Sequence, residues 1–133
     1  MIKIGVIGAG VMGGHHIRNL ASMDVELVGI ADIDKKRISE LSNTYNTKGF
    51  LDYNELVKEG VDAAIVAVPT KLHKSVCDSL IEKGIDILVE KPIADTVENA
   101  KEIIEKSKKA GVKLSVGHIE RFNPAVQKLK ELI

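Results

Sequence analysis

The residues best suited to chemistry begin with a glycine-rich turn near the start of the chain. The hexapeptide GAGVMG has the G-x-G-x-x-G pattern, directly follows an apolar run and opens a helical pattern. In this setting Gly8 permits a tight turn, Gly10 lets a pyrophosphate approach the backbone, and Gly13 lets helix and strand pack closely. The N–H groups of the first helical turn, which includes Val11 and Met12, then bind the anion. The pattern therefore predicts a site for the phosphates of a dinucleotide.

An acidic residue follows the glycine turn at the distance expected of a ribose-binding carboxylate. Asp32 ends the second apolar run, 32 − 13 = 19 residues after Gly13, where it would accept hydrogen bonds from the adenosine ribose hydroxyls. A carboxylate there repels a 2′-phosphate, which favours NAD over NADP, although the basic residues at 35–37 lie close enough to accommodate that phosphate. The alternative is that the glycines only form a tight turn and Asp32 only caps the next helix.

A second candidate cluster lies at the end of the third apolar run. Val68, Pro69 and Thr70 close that run, and His73 lies in the first turns of the helix that follows. Ligands of open α/β sheets bind beyond the carboxyl ends of the strands, so these residues are candidates for cofactor contact. Thr70 is also expected to cap the helix. His73 is expected either as a neutral ring, solvent-facing or hydrogen-bonded, or as a ligand contact, because the helix dipole disfavours its protonated form.

The third candidate is the tripeptide Glu90-Lys91-Pro92 at the end of the fourth apolar run. Surface lysines are common, but this position places Glu90 and Lys91 at the edge of the sheet where the cofactor is expected. Lys91, partly buried beside a nicotinamide, would orient a substrate hydroxyl and assist its proton transfer as hydride leaves the carbon. Lys91 is therefore the predicted catalytic residue.

The remaining histidines and the cysteine do not suggest further catalysis. His15 and His16 are adjacent on the first helix and project about 100° apart, so they cannot chelate one metal ion from a single face. Cys77 is the only cysteine, which excludes an internal disulfide and fits a reducing cytoplasm. It lies on the apolar stripe of a helix without a nearby base, so it is expected to be buried and unreactive. No metal site is predicted.

The elements that must position these residues are strands alternating with helices. The strand-length apolar runs are rich in Val and Ile and cover 2–7, 25–31, 63–68, 85–89 and 112–116. An amphipathic helix is predicted over 70–83 with Gly84 as its stop, and another over 96–110, opened by Asp95 with Glu98 and closed by Gly111. This alternation predicts an α/β fold, a doubly wound parallel sheet with helices on both faces.

Composition limits the classes of partner. The 133 residues suffice for one domain, and 19 basic residues balance 19 acidic ones, so nothing favours a nucleic acid partner. No apolar run approaches a membrane span or the core of a signal peptide, and the protein is expected to be soluble and cytoplasmic. A predicted final helix over 124–133 carries an apolar side that must pack on this domain, on another copy in a homo-oligomer, or on a missing domain.

These blocks, in this order, resemble the NAD-binding N-terminal domain of the Gfo/Idh/MocA family of oxidoreductases. The resemblance rests on GAGVMG, Asp32, YNEL at 53–56, VDAAIVAVP at 61–69, His73, EKP at 90–92 and GHIERFNP at 117–124. It implies a Rossmann fold and gives Lys91 contact with the substrate and the nicotinamide ribose. It also implies that 1–121 form the dinucleotide domain and 122–133 enter a second, substrate-binding domain that this chain lacks.

Two functional hypotheses follow. The first is an NAD-dependent dehydrogenase of a sugar or nucleotide sugar, or its cofactor-binding half, with Lys91 assisting deprotonation; the segment at 117–124 is also similar to that of enzymes of the family that oxidise UDP-N-acetylglucosamine at a hydroxyl. The second is a stand-alone NAD(H)-binding module that senses redox state or pairs with another chain through its last helix. A related CoA-binding domain would leave Asp32 and Lys91 unexplained.

Overall fold

The computed structural model describes residues 1–133, which form one six-stranded sheet flanked by helices. The strands are β1 (Lys3–Ile7), β2 (Glu26–Ala31), β3 (Lys48–Phe50), β4 (Ala63–Val66), β5 (Asp86–Val89) and β6 (Leu114–Val116). The helices are α1 (Val11–Leu20), α2 (Lys35–Tyr45), α3 (Tyr53–Lys58), α4 (His73–Glu82), α5 (Val97–Ala110) and α6 (Pro124–Leu132). Short 3-10 helices cover Thr70–Leu72 and Ile119–Phe122.

All strand pairs are parallel, in the order β3-β2-β1-β4-β5-β6. The chain builds outward from β1 to β3 on one side and then returns to place β4 on the other side of β1. In doubly wound sheets the crevice at this reversal, beyond the carboxyl ends of the strands, is where ligands bind. The predicted α/β fold with a doubly wound parallel sheet is confirmed.

The core lies on both faces of the sheet because alternate residues of the inner strands point to opposite sides. Val6 and Ile65 pack with Ile17 of α1 in one cluster. Ile7 and Val66 belong to the other cluster, which also holds the buried apolar side chains of α4 and α5. Small and branched aliphatic residues fill both clusters, as expected of parallel strands covered on two faces.

The five predicted strands are present, but the sequence pattern did not single out β3. This strand has three residues, of which only Phe50 is apolar, and it lies at the edge of the sheet beside β2. Helices α2 and α3 were not identified either. Asp34 caps α2 by accepting from the backbone N–H groups of Lys36 and Arg37, and Asp52 caps α3 in the same way.

Two predicted helix starts are wrong. Thr96, rather than Asp95, is the N-cap of α5, and its hydroxyl accepts from the backbone N–H of Asn99. The spacing of Asp95 and Glu98 suggested a capping box, but Asp95 accepts from the side-chain amide of Asn99 instead. Thr70 caps no helix, because it is the first residue of a 3-10 turn that precedes α4 and makes no capping hydrogen bond.

The C-terminal segment stands apart from the core. Every residue of 124–133 is exposed, including the apolar Leu129 and Leu132. The apolar side of α6 is therefore not buried against this domain, which was one of the three packing partners expected for it. No helix of the protein combines the length and the apolar character needed to span a membrane.

Candidate functional site

The glycine turn joins β1 to α1 through contacts that leave no room for side chains at two of its positions. Gly8 has φ +94°, and a Cβ there would lie 2.5 Å from the carbonyl oxygen of Ala67. A Cβ on Gly13 would lie 1.9 Å from the carbonyl oxygen of Gly8. Gly10 differs, because a Cβ there would meet no protein atom within 4 Å. Gly8 and Gly13 are thus required by packing, whereas Gly10 keeps open the space in front of the turn.

The N-terminus of α1 presents free backbone donors at this open space. Gly10 is the N-cap and supplies no side-chain acceptor. The first bond of the helix joins the N–H of Gly14 to the carbonyl of Gly10 at 2.8 Å. The N–H groups of Val11, Met12 and Gly13 precede that bond and have no partner within the helix. Such a helix end suits a phosphate group.

Asp32 is fixed beside the glycine turn by two backbone donors. Its Oδ2 accepts from the N–H of Ala9 at 2.6 Å, and its Oδ1 accepts from the N–H of Asp34 at 2.9 Å. A carboxylate has about four acceptor positions, so hydroxyl donors can still bind it. Its position at the end of β2 is the one that the ribose-binding role requires.

The glycine turn, the start of α1 and Asp32 line a cleft of about 830 Å³ at the switch point of the sheet. The walls are largely apolar, and several of their side chains are unusually exposed for their type: Ile33 is 93% exposed and Val11 is 80% exposed, with Leu51 on the same cleft. Exposed aliphatic walls of this kind suit the flat faces of a heterocyclic base. Sequence reasoning missed Ile33 and Leu51; the available signal was an apolar residue one or two positions after the end of β3 and β2.

The structure brings together most of the predicted cofactor-binding residues but not all of them. Those that line the cleft are Gly8, Gly10, Val11, Met12, Asp32, Val68 and Pro69. Thr70, His73, Glu90 and Lys91 do not line it. Gly13 lies behind the turn against Gly8. The predicted cluster therefore divides into a nucleotide cleft and a neighbouring group at the end of β5.

His73 is buried, with 1% of its surface exposed, and both ring nitrogens face backbone carbonyls. Its Nε2 lies 2.9 Å from the oxygen of Val68, and its Nδ1 lies 3.0 Å from the oxygen of Pro92. Neither nitrogen is free for a cofactor, so the direct polar contact considered for His73 is not what the structure shows. The ring instead connects the end of β4 to the Glu90-Lys91-Pro92 turn.

Glu90 is a buried carboxylate, 6% exposed, at the other end of this turn. Its Oε1 lies 2.7 Å from Nε2 of His16, and its Oε2 accepts from the N–H of Lys91 at 3.2 Å. Sequence reasoning gave His16 no role because it considered only metal binding. The pair is separated by 74 residues, so no local pattern signals it.

Lys91 follows β5 and is exposed rather than partly buried as expected. The peptide bond between Lys91 and Pro92 is cis. Lys91 lines a second cleft, of about 460 Å³, whose other walls come from 117–121 after β6. His118, Glu120 and Arg121 make those walls polar. Because β4 and β5 are neighbours in the sheet, this cleft and the nucleotide cleft open at the same edge.

Cys77 is fully buried, as predicted. Burial, reinforced by the negative charge of the adjacent Asp78, raises the pKa of the thiol from its ordinary value of 9.0 to about 12. A thiol with so little thiolate at neutral pH is a poor nucleophile. The structure also contains no group of three or more His, Cys, Asp or Glu side chains that could hold a metal ion.

The nucleotide cleft fits NAD part by part. The free N–H groups at the start of α1 would bind the pyrophosphate, and the open space at Gly10 would let it approach. Asp32 would accept from the adenosine ribose hydroxyls. The apolar wall that includes Ile33 and Leu51 would contact the base.

Comparison with known proteins agrees with this fit. Residues 2–118 match the GFO_IDH_MocA model, described as an oxidoreductase family with an NAD-binding Rossmann fold. The chain is 31% identical over 130 residues to UDP-N-acetylglucosamine 3-dehydrogenase of Acidithiobacillus ferrooxidans, covering 98% of this chain and 41% of that protein. The solved structure of that enzyme superposes with a TM-score of 0.90 at 30% identity, covering 98% of this chain and 41% of that one.

Two further relatives are similar over most of this chain. The NAD(+)-dependent scyllo-inositol 2-dehydrogenase of Bacillus subtilis is 32% identical over 136 residues, covering 99% of this chain and 40% of that protein. The structure of GenD2 from gentamicin A biosynthesis, solved in complex with NAD, has a TM-score of 0.84 at 26% identity, covering 87% of this chain and 34% of that one.

The chain spans about two fifths of the length of the curated relatives that it matches. The family model covers 117 of its residues (2–118), which include the glycine turn, Asp32 and the turn that carries Lys91. The fold, the nucleotide cleft and these matches agree. The chain belongs to the Gfo/Idh/MocA family of oxidoreductases and forms an NAD-binding Rossmann domain.

Proposed function

We propose that this chain is the cofactor-binding domain of an NAD-dependent dehydrogenase that oxidises a hydroxyl group of a sugar or nucleotide sugar to a ketone. The observation that carries the proposal is the position of Lys91. It follows β5 at the same edge of the sheet as the nucleotide cleft, which follows β1, β2 and β4. We infer that a hydroxyl group held between the two clefts would lie within reach of this amine.

The residues would divide the chemistry between them. Gly10, the first-turn N–H groups of α1 and Asp32 bind and orient the cofactor. Lys91 accepts the hydroxyl proton at Nζ while the carbon of that hydroxyl loses hydride, so that the C–O single bond becomes a carbonyl. When bound, NAD⁺ supplies the hydride acceptor. One proton on Lys91 and one hydride on the nicotinamide account for both hydrogens lost by the substrate.

The lining of the second cleft supports a polyhydroxylated substrate. Lys91, His118, Glu120 and Arg121 offer both donors and an acceptor there, which suits hydroxyl groups and, through the cationic side chains, the phosphates of a nucleotide sugar. Relatives that share this domain are named as dehydrogenases of UDP-N-acetylglucosamine and of scyllo-inositol. We propose UDP-N-acetylglucosamine as the first substrate to test.

The last residues support a division of the chain into two parts. We propose that 1–121 form the dinucleotide domain and that 122–133 begin the substrate-binding part of a longer polypeptide. Phe122 is 81% exposed, and the apolar side of α6 has no cover within this domain. A substrate domain that packs on this side would also enclose the cleft at Lys91.

The test replaces Lys91 by Met in the polypeptide that carries this chain. The reduction of NAD⁺ is followed through the absorbance of the NADH that forms, with UDP-N-acetylglucosamine, simple sugars and inositols as substrates. We expect kcat to fall at least about 100-fold, because general-base assistance is lost, with the Kd of NAD nearly unchanged. Lys113→Met, an exposed lysine paired with Asp86 just before β6, serves as the matched control. Unchanged turnover in Lys91→Met would remove Lys91 from the mechanism.

A further inference from the structure

The turn that carries Lys91 is held by a buried carboxylate that the proposed chemistry does not use. Glu90 precedes Lys91, and its two oxygens have different partners: Nε2 of His16 at 2.7 Å and the backbone N–H of Lys91 at 3.2 Å. A Cβ on Gly117 would lie 3.1 Å from Oε1, so the backbone after β6 packs directly against this carboxylate. Glu90 is therefore enclosed and cannot turn toward solvent without disturbing the contacts around it.

His16 connects this carboxylate to the helix that binds the phosphates. It lies three residues after Gly13, on α1, and its side chain is 15% exposed. The first turn of the same helix presents the free N–H groups of the nucleotide cleft. A single side-chain hydrogen bond thus links the phosphate-binding element to the end of β5, 74 residues later in the chain.

The opposite side of the turn is fixed separately. The buried ring of His73 packs between the carbonyl oxygens of Val68 and Pro92, within hydrogen-bond distance of both, and so places Pro92 against the end of β4. Lys91 stands between these two attachments. The backbone N–H of Glu90 donates to the carbonyl of Val66 at 2.9 Å, which holds the start of the turn on β4. The connection from the turn to α1 runs through the Glu90 side chain and its bond with His16.

We propose that His16 is a positioning residue that acts through Glu90 to hold Lys91 in register with the phosphate-binding helix. This inference rests on the proposed role of Lys91. Without the imidazole, the buried carboxylate loses its only side-chain partner, and a buried acceptor left unpaired is costly. Glu90 would then move toward water or another donor, release the N–H of Lys91 and let the Lys91 amine sample positions away from the substrate hydroxyl.

The first test needs neither cofactor nor substrate. Amide hydrogen exchange at Lys91 is measured by NMR in the 133-residue chain and in His16→Leu, His16→Gln and His15→Leu, with core amides of β1 as the reference for overall stability. We expect exchange at Lys91 to rise about tenfold in His16→Leu relative to that reference. Gln keeps an N–H donor and should restore the rate. His15 is the exposed neighbour on the same helix, so its replacement should change nothing.

The second test separates positioning from binding in the polypeptide that carries this chain. We expect His16→Leu to lower kcat about tenfold while the Kd of NAD stays within about twofold, with His16→Gln again restoring turnover. Unchanged exchange at Lys91 in His16→Leu, no rescue by Gln, or a loss confined to NAD affinity would overturn the proposal. If the unaltered protein oxidises no hydroxyl compound, the proposed function fails, whereas the exchange measurement still decides whether His16 positions Lys91.

Discussion

Gly10 and Gly13 belong to one motif, yet each is a glycine for a different physical reason. At Gly13 a side chain would collide with the backbone of Gly8, so this position belongs to the packing of α1 against the β1 turn. At Gly10 a side chain would meet no protein atom and would project into the nucleotide cleft. Sequence spacing identifies both glycines but cannot separate the role in folding from the role in binding.

This difference predicts the outcome of one substitution. Gly10→Ala should leave the melting temperature nearly unchanged, because the added methyl finds open space and Gly10 has an ordinary φ of −64°. The Kd of NAD should rise at least about tenfold, since the methyl occupies the space that the pyrophosphate needs. Calorimetry measures both quantities.

The matched control for Gly10→Ala is Gly14→Ala. A Cβ on Gly14 also meets no atom within 4 Å, but this residue does not line the cleft. Alanine inside a helix should stabilise the protein by about 0.5–1 kcal/mol and leave NAD affinity intact. Equal NAD affinity in Gly10→Ala and Gly14→Ala would show that the phosphates do not bind at this turn.

The thiol of Cys77 predicts a pH dependence of stability. Its pKa is raised by burial, and by Asp78, from 9.0 to about 12, so the folded state favours the neutral thiol. The resulting stabilisation is complete below pH 9 and is lost as the pH rises from 9 toward 12. Above pH 9 the free energy of unfolding should fall more steeply in the unaltered protein than in Cys77→Ala, by up to about 1.4 kcal/mol per pH unit. Denaturant unfolding at several pH values measures the difference; parallel curves would contradict it.

Among the site residues, Lys91 and His73 mark where sequence reasoning stops. Lys91 follows β5 and His73 begins the helix after β4. Both positions follow from the apolar runs, because parallel strands bring their carboxyl ends to one edge. Their surroundings do not follow, since the exposure of Lys91 depends on the segment after β6. The carbonyl partners of His73 come from residues on either side of it in the chain, Val68 and Pro92, and no periodicity encodes such a contact.

At the scale of elements, the long central pieces were predictable and the short edge pieces were not. β1, β4 and β5 are largely apolar because helices cover both faces of the sheet at these strands. β3 is an edge strand that pairs only with β2, and its three residues include a single apolar side chain. Neither its length nor its periodicity therefore distinguishes it from a loop. The start of α5 was misassigned by one residue because Asp95 and Thr96 both have the chemistry of a cap.

The capping assignment is testable by comparing two substitutions. Thr96→Ala should lower the free energy of unfolding by about 1 kcal/mol, because the N–H of Asn99 loses its acceptor at the start of α5. Asp95→Ala should cost only a few tenths of that, since Asp95 bonds an exposed side-chain amide. Urea unfolding measures both values. A larger loss in Asp95→Ala than in Thr96→Ala would restore Asp95 as the cap.

At the scale of the whole molecule, binding and chemistry meet at one edge of the sheet. The nucleotide cleft follows β1, β2 and β4, and the cleft at Lys91 follows β5 and β6. The two are joined by contacts distant in sequence: His16 with Glu90, and His73 with Val68 and Pro92. The fold class, the glycine turn and Asp32 were predictable because local pattern specifies them, whereas the connections between the clefts depend on the folded chain.

The most direct test of this account is calorimetric titration of NAD into the 133-residue chain and into Asp32→Ala. We expect the unaltered chain to bind NAD more tightly than NADP, because the carboxylate of Asp32 accepts from ribose hydroxyls and repels a 2′-phosphate. We expect at least about tenfold weaker NAD binding in Asp32→Ala, from the loss of charge-assisted hydrogen bonds. NAD affinity that is unchanged in Asp32→Ala, or no binding of NAD by the folded chain, would contradict the account.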